Sequence, residues 1–69
     1  MADRTYKLVE LVGTSKESVS DAIDGAIRSA SASLDHVEWF DVDSIRGHVE
    51  EGGVAHYQVV VRVGFRVSD

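Results

Sequence analysis

Residues 55–67 read AHYQVVVRVGFRV, and this stretch decides the fold. Apolar side chains recur at every second position, which is the period of a β-strand with one buried face. The apolar set is Ala55, Tyr57, Val59, Val61, Val63, Phe65 and Val67. The alternate set is mostly polar and includes Gln58, Arg62, Gly64 and Arg66. Residues 55–67 are therefore predicted to be the central strand of a sheet, with the apolar face covered by another element.

Residues 16–34 are predicted to form the covering element. Apolar residues recur there at steps of three and four, as Val19, Ala22, Ile23, Ala26, Ile27, Ala30 and Leu34. This spacing predicts an amphipathic helix, and the small alanines favour close packing on a sheet. The preceding residues fit a capping box, in which the Thr14 hydroxyl and the Glu17 carboxylate each accept a backbone N–H.

Two further strands complete the sheet. Residues 5–12 are rich in β-branched, aromatic and aliphatic side chains and are expected to end at Gly13. Residues 37–46 form the other strand, and a turn at residues 50–53 leads into the central one. The helix then crosses from one edge strand to the other. The prediction is an α+β fold with element order β-α-β-β, a three-stranded antiparallel sheet of order 1-3-2, and one domain spanning residues 1–69.

The same alternation divides residues 37–46 between two faces of the sheet. Phe40 and Val42 are expected to join the core beneath the helix. The outer face, which is the one turned away from the helix, is expected to hold Val37, Trp39, Asp41, Asp43 and Ile45 beside Gln58, Arg62 and Arg66. One helix cannot cover both faces of a sheet, so the outer face is either solvated or buried by neighbouring subunits. A lone tryptophan among Gln and Arg suggests a binding surface.

Composition restricts how so short a chain is stabilised. A chain of 69 residues buries only about 60% of the surface that its unfolded form exposes, which is less than a larger domain buries. The absence of cysteine excludes disulfides and thiolate metal sites. The three histidines, at positions 36, 48 and 56, do not form a local pair such as His-x-x-x-His, so no metal site is predicted. Oligomerisation is the remaining source of stability, and no stable folded monomer is expected.

Charge and hydropathy exclude two classes of partner. Seven basic and twelve acidic side chains give a net charge of −5, without any run of Lys or Arg that would bind nucleic acid. No apolar stretch approaches the length of a membrane span, and the first residues do not form an export signal. We therefore expect a cytoplasmic protein that binds neither nucleic acid nor membrane.

The whole chain resembles the dodecin family, whose members bind flavin and assemble as twelve-subunit shells. The resemblance is carried by residues 11–15 (LVGTS), 39–40 (WF), 44–48 (SIRGH), 57–59 (YQV) and 63–66 (VGFR). No single one of these elements is specific, but the set in this order within so short a chain is. The resemblance implies a hollow homododecamer that stores flavin and quenches its excited state, without catalysis.

The resemblance also implies site residues and ligands. Trp39 would stack on the isoalloxazine ring, and Gln58 would hydrogen-bond its pyrimidine edge. Arg46 and Arg66 would contact the side chain and phosphate of flavin mononucleotide (FMN), and Asp41 the ribityl chain. Riboflavin or FAD are alternative flavins, and coenzyme A is a possible second ligand near residues 13–15. By alternation Arg46 falls on the face opposite Trp39, so its role requires strand twist or a neighbouring subunit's site.

Other interpretations stay open at this point. The protein could be a structural or interaction oligomer in which Trp39 only joins subunits. A flavin-dependent reductase is a weaker alternative, because no glycine-rich dinucleotide loop is present. Asp41 and Asp43 are more simply surface carboxylates than a catalytic pair, and Arg62 is expected to pair with one of them across subunits. His48 and His56 flank the turn and are expected to be solvated or at an interface.

Overall fold

A computed structural model describes residues 3–68 of the chain. The elements are β1 (Thr5–Ser15), α1 (Val19–Ser33), β2 (Val37–Glu50) and β3 (Gly53–Ser68). The sheet has the order β1-β3-β2, and both neighbouring pairs are antiparallel. The predicted element order, strand order and fold class are therefore confirmed. Within the described residues α1 is neither long nor apolar enough to cross a membrane.

The core lies between the middle of β3 and one face of α1. Val59, Val61 and Val63 are fully buried, as the alternation of residues 55–67 predicts. They pack against Ala22, Ala26 and Ala30 of the helix. The small alanine side chains let α1 approach β1 and β3 closely, but the helix barely reaches β2. As a result Phe40, on the helix side of β2, keeps 47% of its surface exposed.

Strand β1 does not end at Gly13, so the predicted break there is wrong. Gly13 pairs with Val59 in the middle of the sheet, and the strand continues to Ser15. A Cβ atom at Gly13 would overlap the backbone carbonyl of Ala22 on the helix. Glycine is needed at this position because the helix backbone approaches the strand backbone there, and not because the chain turns.

The predicted capping box at residues 14–17 is also wrong, because Thr14 belongs to the strand and pairs with Gln58. The N-cap of α1 is Ser18, whose hydroxyl accepts a hydrogen bond from the backbone N–H of Asp21 at 2.9 Å. Ser15 supports this end of the helix: its hydroxyl accepts the Glu17 N–H at 2.9 Å and donates to the Asp21 carboxylate at 2.7 Å. The helix therefore begins three residues later than predicted.

The β2–β3 hairpin is longer than the sequence predicted. Its loop consists of Glu51 and Gly52, which have φ angles of 51° and 78°. Two consecutive residues with positive φ are the signature of a type I′ turn, which matches the twist of the two strands. The hairpin extends well beyond the helix and gives the chain its elongated shape of 55 × 20 × 13 Å.

Strand β2 contains irregularities that the simple alternation misses. The register with β3 shifts between Val37 and Trp39, between Val42 and Ser44, and between His48 and Val49. Residues directly opposite each other share a face. Phe40 and Val42 lie opposite Val63 and Val61 and are on the helix side, as predicted. The expectation that they join the core is wrong, because they keep 47% and 37% of their surface exposed.

The same irregularities overturn part of the predicted face assignment. Val37 lies opposite Phe65 and Ile45 opposite Val59, so both belong to the helix side and not to the outer face. The extra residue between Val42 and Ser44 is Asp43, and beyond it the two faces of β2 exchange places.

Candidate functional site

The indole of Trp39 lies on the outer face, directly over Gly64. The two residues are opposite each other in the β2–β3 pair. A Cβ atom at Gly64 would overlap three atoms of the indole, so the absence of a side chain lets the ring approach the strand backbone. Trp39 nevertheless keeps 41% of its surface exposed. The outer face thus presents a flat, partly open aromatic ring.

Tyr6 of β1 holds the indole from the side. The two rings are 5.8 Å apart between centroids and meet edge to face at 69°. The Tyr6 hydroxyl donates a 2.8 Å hydrogen bond to Glu38. Tyr6 and Trp39 come from the two edge strands and meet across β3, where Gly64 leaves the space. The roles of Tyr6 and Gly64 were not predicted from the sequence, although Gly64 interrupts the polar face of the central strand and could have indicated one of them.

Arg66 lies at the same end of the outer face. Its side chain is mostly buried, with Nη1 3.3 Å from Glu38 and Nη2 3.3 Å from Nδ1 of His36. Glu38 also accepts the Tyr6 hydroxyl and lies 3.7 Å from Arg4. These contacts fix the guanidinium of Arg66 in one position near the indole.

The middle of the outer face is occupied by Arg62 between two carboxylates. Its Nε lies 3.1 Å from Asp41 and its Nη2 3.6 Å from Asp43. The hydrogen bond that Arg62 donates to Asp41, together with the charges of both carboxylates, raises the pKa of Arg62 above its ordinary value. The sequence predicted a pair across subunits for Arg62; in the structure its two partners come from its own chain. Because Arg62 forms an ion pair with each of these carboxylates, they fit a structural role better than the role of a catalytic pair.

Arg46 and Gln58 form the next polar pair along the outer face. They lie directly opposite each other on β2 and β3. The bulge at Asp43 has moved Arg46 to the face of Trp39, so the predicted obstacle to its role does not exist. The Gln58 amide offers a neutral hydrogen-bond donor and an acceptor. The Arg46 guanidinium beside it offers several charged N–H donors in one plane.

The structure does not bring Gln58 next to Trp39 within one chain. Gln58 is six residues from Gly64 along β3, which corresponds to about 20 Å of strand. The predicted site residues therefore form two groups. Trp39, Asp41 and Arg66 lie toward one end of the outer face, and Arg46 and Gln58 lie toward the other. Alternation placed Trp39, Asp41, Gln58 and Arg66 on one face correctly and Arg46 on the wrong face, and it carries no information about their separation.

Residues 13–15 are not a loop before the helix, as the sequence analysis assumed, but the last residues of β1. A shallow groove of about 520 Å³ runs beside them, between β1 and the helix residues Gly25, Ala26 and Ser29. Ser15 is engaged in the helix-capping contacts described above.

Comparison with known proteins gives one consistent result. The family model of dodecin matches residues 5–68. A dodecin from Thermus thermophilus is 50% identical over 66 residues, which cover 96% of each chain. A crystal structure of a T. thermophilus protein has a TM-score of 0.90 at 49% identity, covering 97% of this chain and 98% of the other. Dodecin from Streptomyces coelicolor has a TM-score of 0.91 at 42% identity, covering 100% and 99%.

Proposed function

This chain belongs to the dodecin family, and we propose that it binds FMN, without transforming it, as one subunit of a hollow twelve-subunit shell. The observation that carries the proposal is the indole of Trp39, which lies flat over Gly64 with two fifths of its surface exposed. Exposure of the only tryptophan of the sequence on a polar face indicates a surface that a ligand or a partner covers.

The residue types on the outer face suit each part of a flavin. The flat, electron-poor isoalloxazine ring stacks on an electron-rich indole, which typically adds about 0.5–1.5 kcal/mol beyond the burial of area. The amide of Gln58 supplies both donor and acceptor for the pyrimidine edge of the ring. Arg46 and Arg66 supply guanidinium groups, which bind phosphate in a bidentate manner. Asp41 would accept a hydrogen bond from a ribityl hydroxyl.

The separation of the two residue groups makes the site a composite of subunits. Because Trp39 and Gln58 are about 20 Å apart along the sheet, one flavin ring does not contact both within a single chain. We propose that each flavin stacks on Trp39 of one subunit and receives Gln58 and Arg46 from a neighbour. Arg66 is on the same chain and at the same end as the stacking Trp39.

Exposed apolar surface supports the assembly. Leu8 and Val12 are more than half exposed, and so is Ile45 on the helix side of β2. Phe40 borders an open groove along α1 that is lined by Ile23 and Ile27. A chain whose buried core consists of six small residues gains much of its stability by covering these surfaces with further copies.

We propose storage and photoprotection as the purpose of binding. An indole against a photoexcited flavin transfers an electron to it and quenches its fluorescence, so the bound flavin is shielded from side reactions. Arg62 neutralises the nearby carboxylates, which supports binding without catalysis. Riboflavin and FAD share the ring contacts, and coenzyme A stays a prediction for the groove beside Gly13. A cytoplasmic location is part of the same proposal.

Fluorescence titration of FMN, paired with light scattering, tests this function. The purified assembly is expected to quench added FMN with a saturable curve of up to one flavin per chain. Particles near twelve subunits are expected, with no folded monomer at micromolar concentration. An oligomer that leaves FMN fully fluorescent would instead be a structural oligomer, and oxidation of a nicotinamide donor by the FMN-loaded protein would indicate a reductase.

A further inference from the structure

His48 and His56 form a pair that the sequence spacing hid. They are eight residues apart in the chain, but the hairpin places them directly opposite each other on β2 and β3. Their imidazole rings are 5.5 Å apart between centroids and nearly parallel, at 13°. Both lie on the outer face, one row beyond Arg46 and Gln58. Local spacing along the chain, such as His-x-x-x-His, does not reveal histidines that are brought together across strands.

We propose that His48 and His56 bind a divalent late transition-metal ion, with Cu²⁺ bound most tightly. Each neutral imidazole keeps one nitrogen lone pair, and imidazole is a good ligand for Cu²⁺, Ni²⁺ and Zn²⁺. Two nitrogens that bind one ion at about 2.0–2.1 Å must lie roughly 3 Å apart. The facing rings, 5.5 Å apart between centroids, have to turn about their side-chain torsions to reach that separation.

The surroundings of the pair leave room for an ion and supply negative charge. The His48 side chain is 62% exposed, and its Nε2 lies 3.9 Å from a carboxylate oxygen of Glu50. An open groove of about 370 Å³ adjoins His56 on the side of Thr14 and Lys16. Across residues 3–68 no three side chains of ligand type converge on one point. The site is therefore a two-imidazole site completed by water, with Glu50 as a nearby counter-charge.

Copper titration of the flavin-free, untagged assembly tests the proposal, with calorimetry for affinity and electron paramagnetic resonance for the ligands. One Cu²⁺ per chain is expected, with two imidazole nitrogens in its spectrum. Zn²⁺ should bind the same site more weakly, and Mg²⁺ should not compete.

Substitutions distinguish the pair from adventitious copper binding. His48→Gln and His56→Gln should each weaken Cu²⁺ binding on the order of tenfold or more, since a chelate becomes a single ligand. His36→Gln, which removes an imidazole at the other end of the sheet, should leave the affinity unchanged. If the wild-type protein binds no Cu²⁺ saturably, or if both pair variants bind it as tightly as the wild-type protein, the proposal is wrong. A spectrum without two imidazole nitrogens would refute it independently of any variant.

Discussion

Trp39 lies so close over Gly64 that a single methyl group at residue 64 would overlap the Cε2, Cζ2 and Cδ2 atoms of its indole. The two residues come from neighbouring strands and are paired in the sheet. The position of the proposed flavin platform therefore depends as much on the missing side chain as on the indole itself.

Gly64→Ala should displace the indole and weaken FMN binding by roughly tenfold or more, while the core beneath α1 stays intact. Fluorescence titration measures the loss, and circular dichroism checks the fold. Gly25→Ala is the matched control, because a Cβ at Gly25 contacts nothing and the helix gains roughly 1 kcal/mol. Equal FMN affinity in the two variants would mean that the indole does not hold the flavin.

Trp39→Ala should still fold and assemble, because the indole lies outside the core of Val59, Val61 and Val63. Loss of a stacking platform typically costs about 1–3 kcal/mol, so FMN should bind at least roughly tenfold more weakly and any bound flavin should be brighter. Trp39→Phe should give an intermediate affinity, with a poorer electron donor. A Trp39→Ala protein that assembles and quenches FMN as before would show that the site lies elsewhere.

Arg46→Ala and Arg66→Ala should each lower the affinity for FMN more than the affinity for riboflavin, because only FMN carries the phosphate. The difference between the two ligands should narrow as salt is added, since screening weakens partly exposed charge pairs. Arg28→Ala is a suitable control, because Arg28 pairs with Asp24 on the outer surface of the helix. Equal losses for FMN and riboflavin would favour a purely structural role of both arginines.

A site composed of two subunits can be tested by co-assembling two variants that each bind FMN weakly. Trp39→Ala and Gln58→Ala subunits should each bind FMN weakly when assembled alone. Random co-assembly should restore roughly a quarter of the sites, because each has an even chance of an intact Trp39 and, independently, an intact Gln58. Quantitative fluorescence titration of the mixed shells measures this fraction. No recovery in verified mixed shells would mean that both residues serve the flavin from one chain or that one of them does not contact it.

Ser18→Ala should lower the free energy of unfolding by about 1 kcal/mol, because Ser18 is the observed N-cap of α1. Thr14→Ala should not show a capping loss, since the Thr14 side chain belongs to the strand. Urea unfolding compares the stability of the two variants. The protein concentration has to be the same in both measurements, because assembly contributes to the measured stability. A larger loss for Thr14→Ala would restore the capping box that the sequence suggested.

The alternation of residues 55–67 was enough to predict the central strand, the core valines and the strand order, because burial on one face imposes a strict period of two. The same rule failed at Val37 and beyond Val42, because the pattern of β2 does not mark the irregularities at residue 38 and at Asp43. It also failed to give the distance between Trp39 and Gln58. Alternation tells on which face of the sheet a residue lies, but two residues on one face can lie anywhere along the length of the strands. Gly13 was misread because a glycine that permits close packing looks in sequence like one that permits a turn.

The extra residue at Asp43 also has a meaning for protein engineering. A designer who transplants the residues of the proposed flavin site onto another three-stranded sheet cannot copy them as an alternating pattern on ideal strands. On a regular strand Trp39 and Arg46, seven positions apart, would point in opposite directions. The irregularity has to be transplanted together with the side chains, and a deletion of one residue in this short segment would turn the guanidinium of Arg46 from the outer face toward the helix.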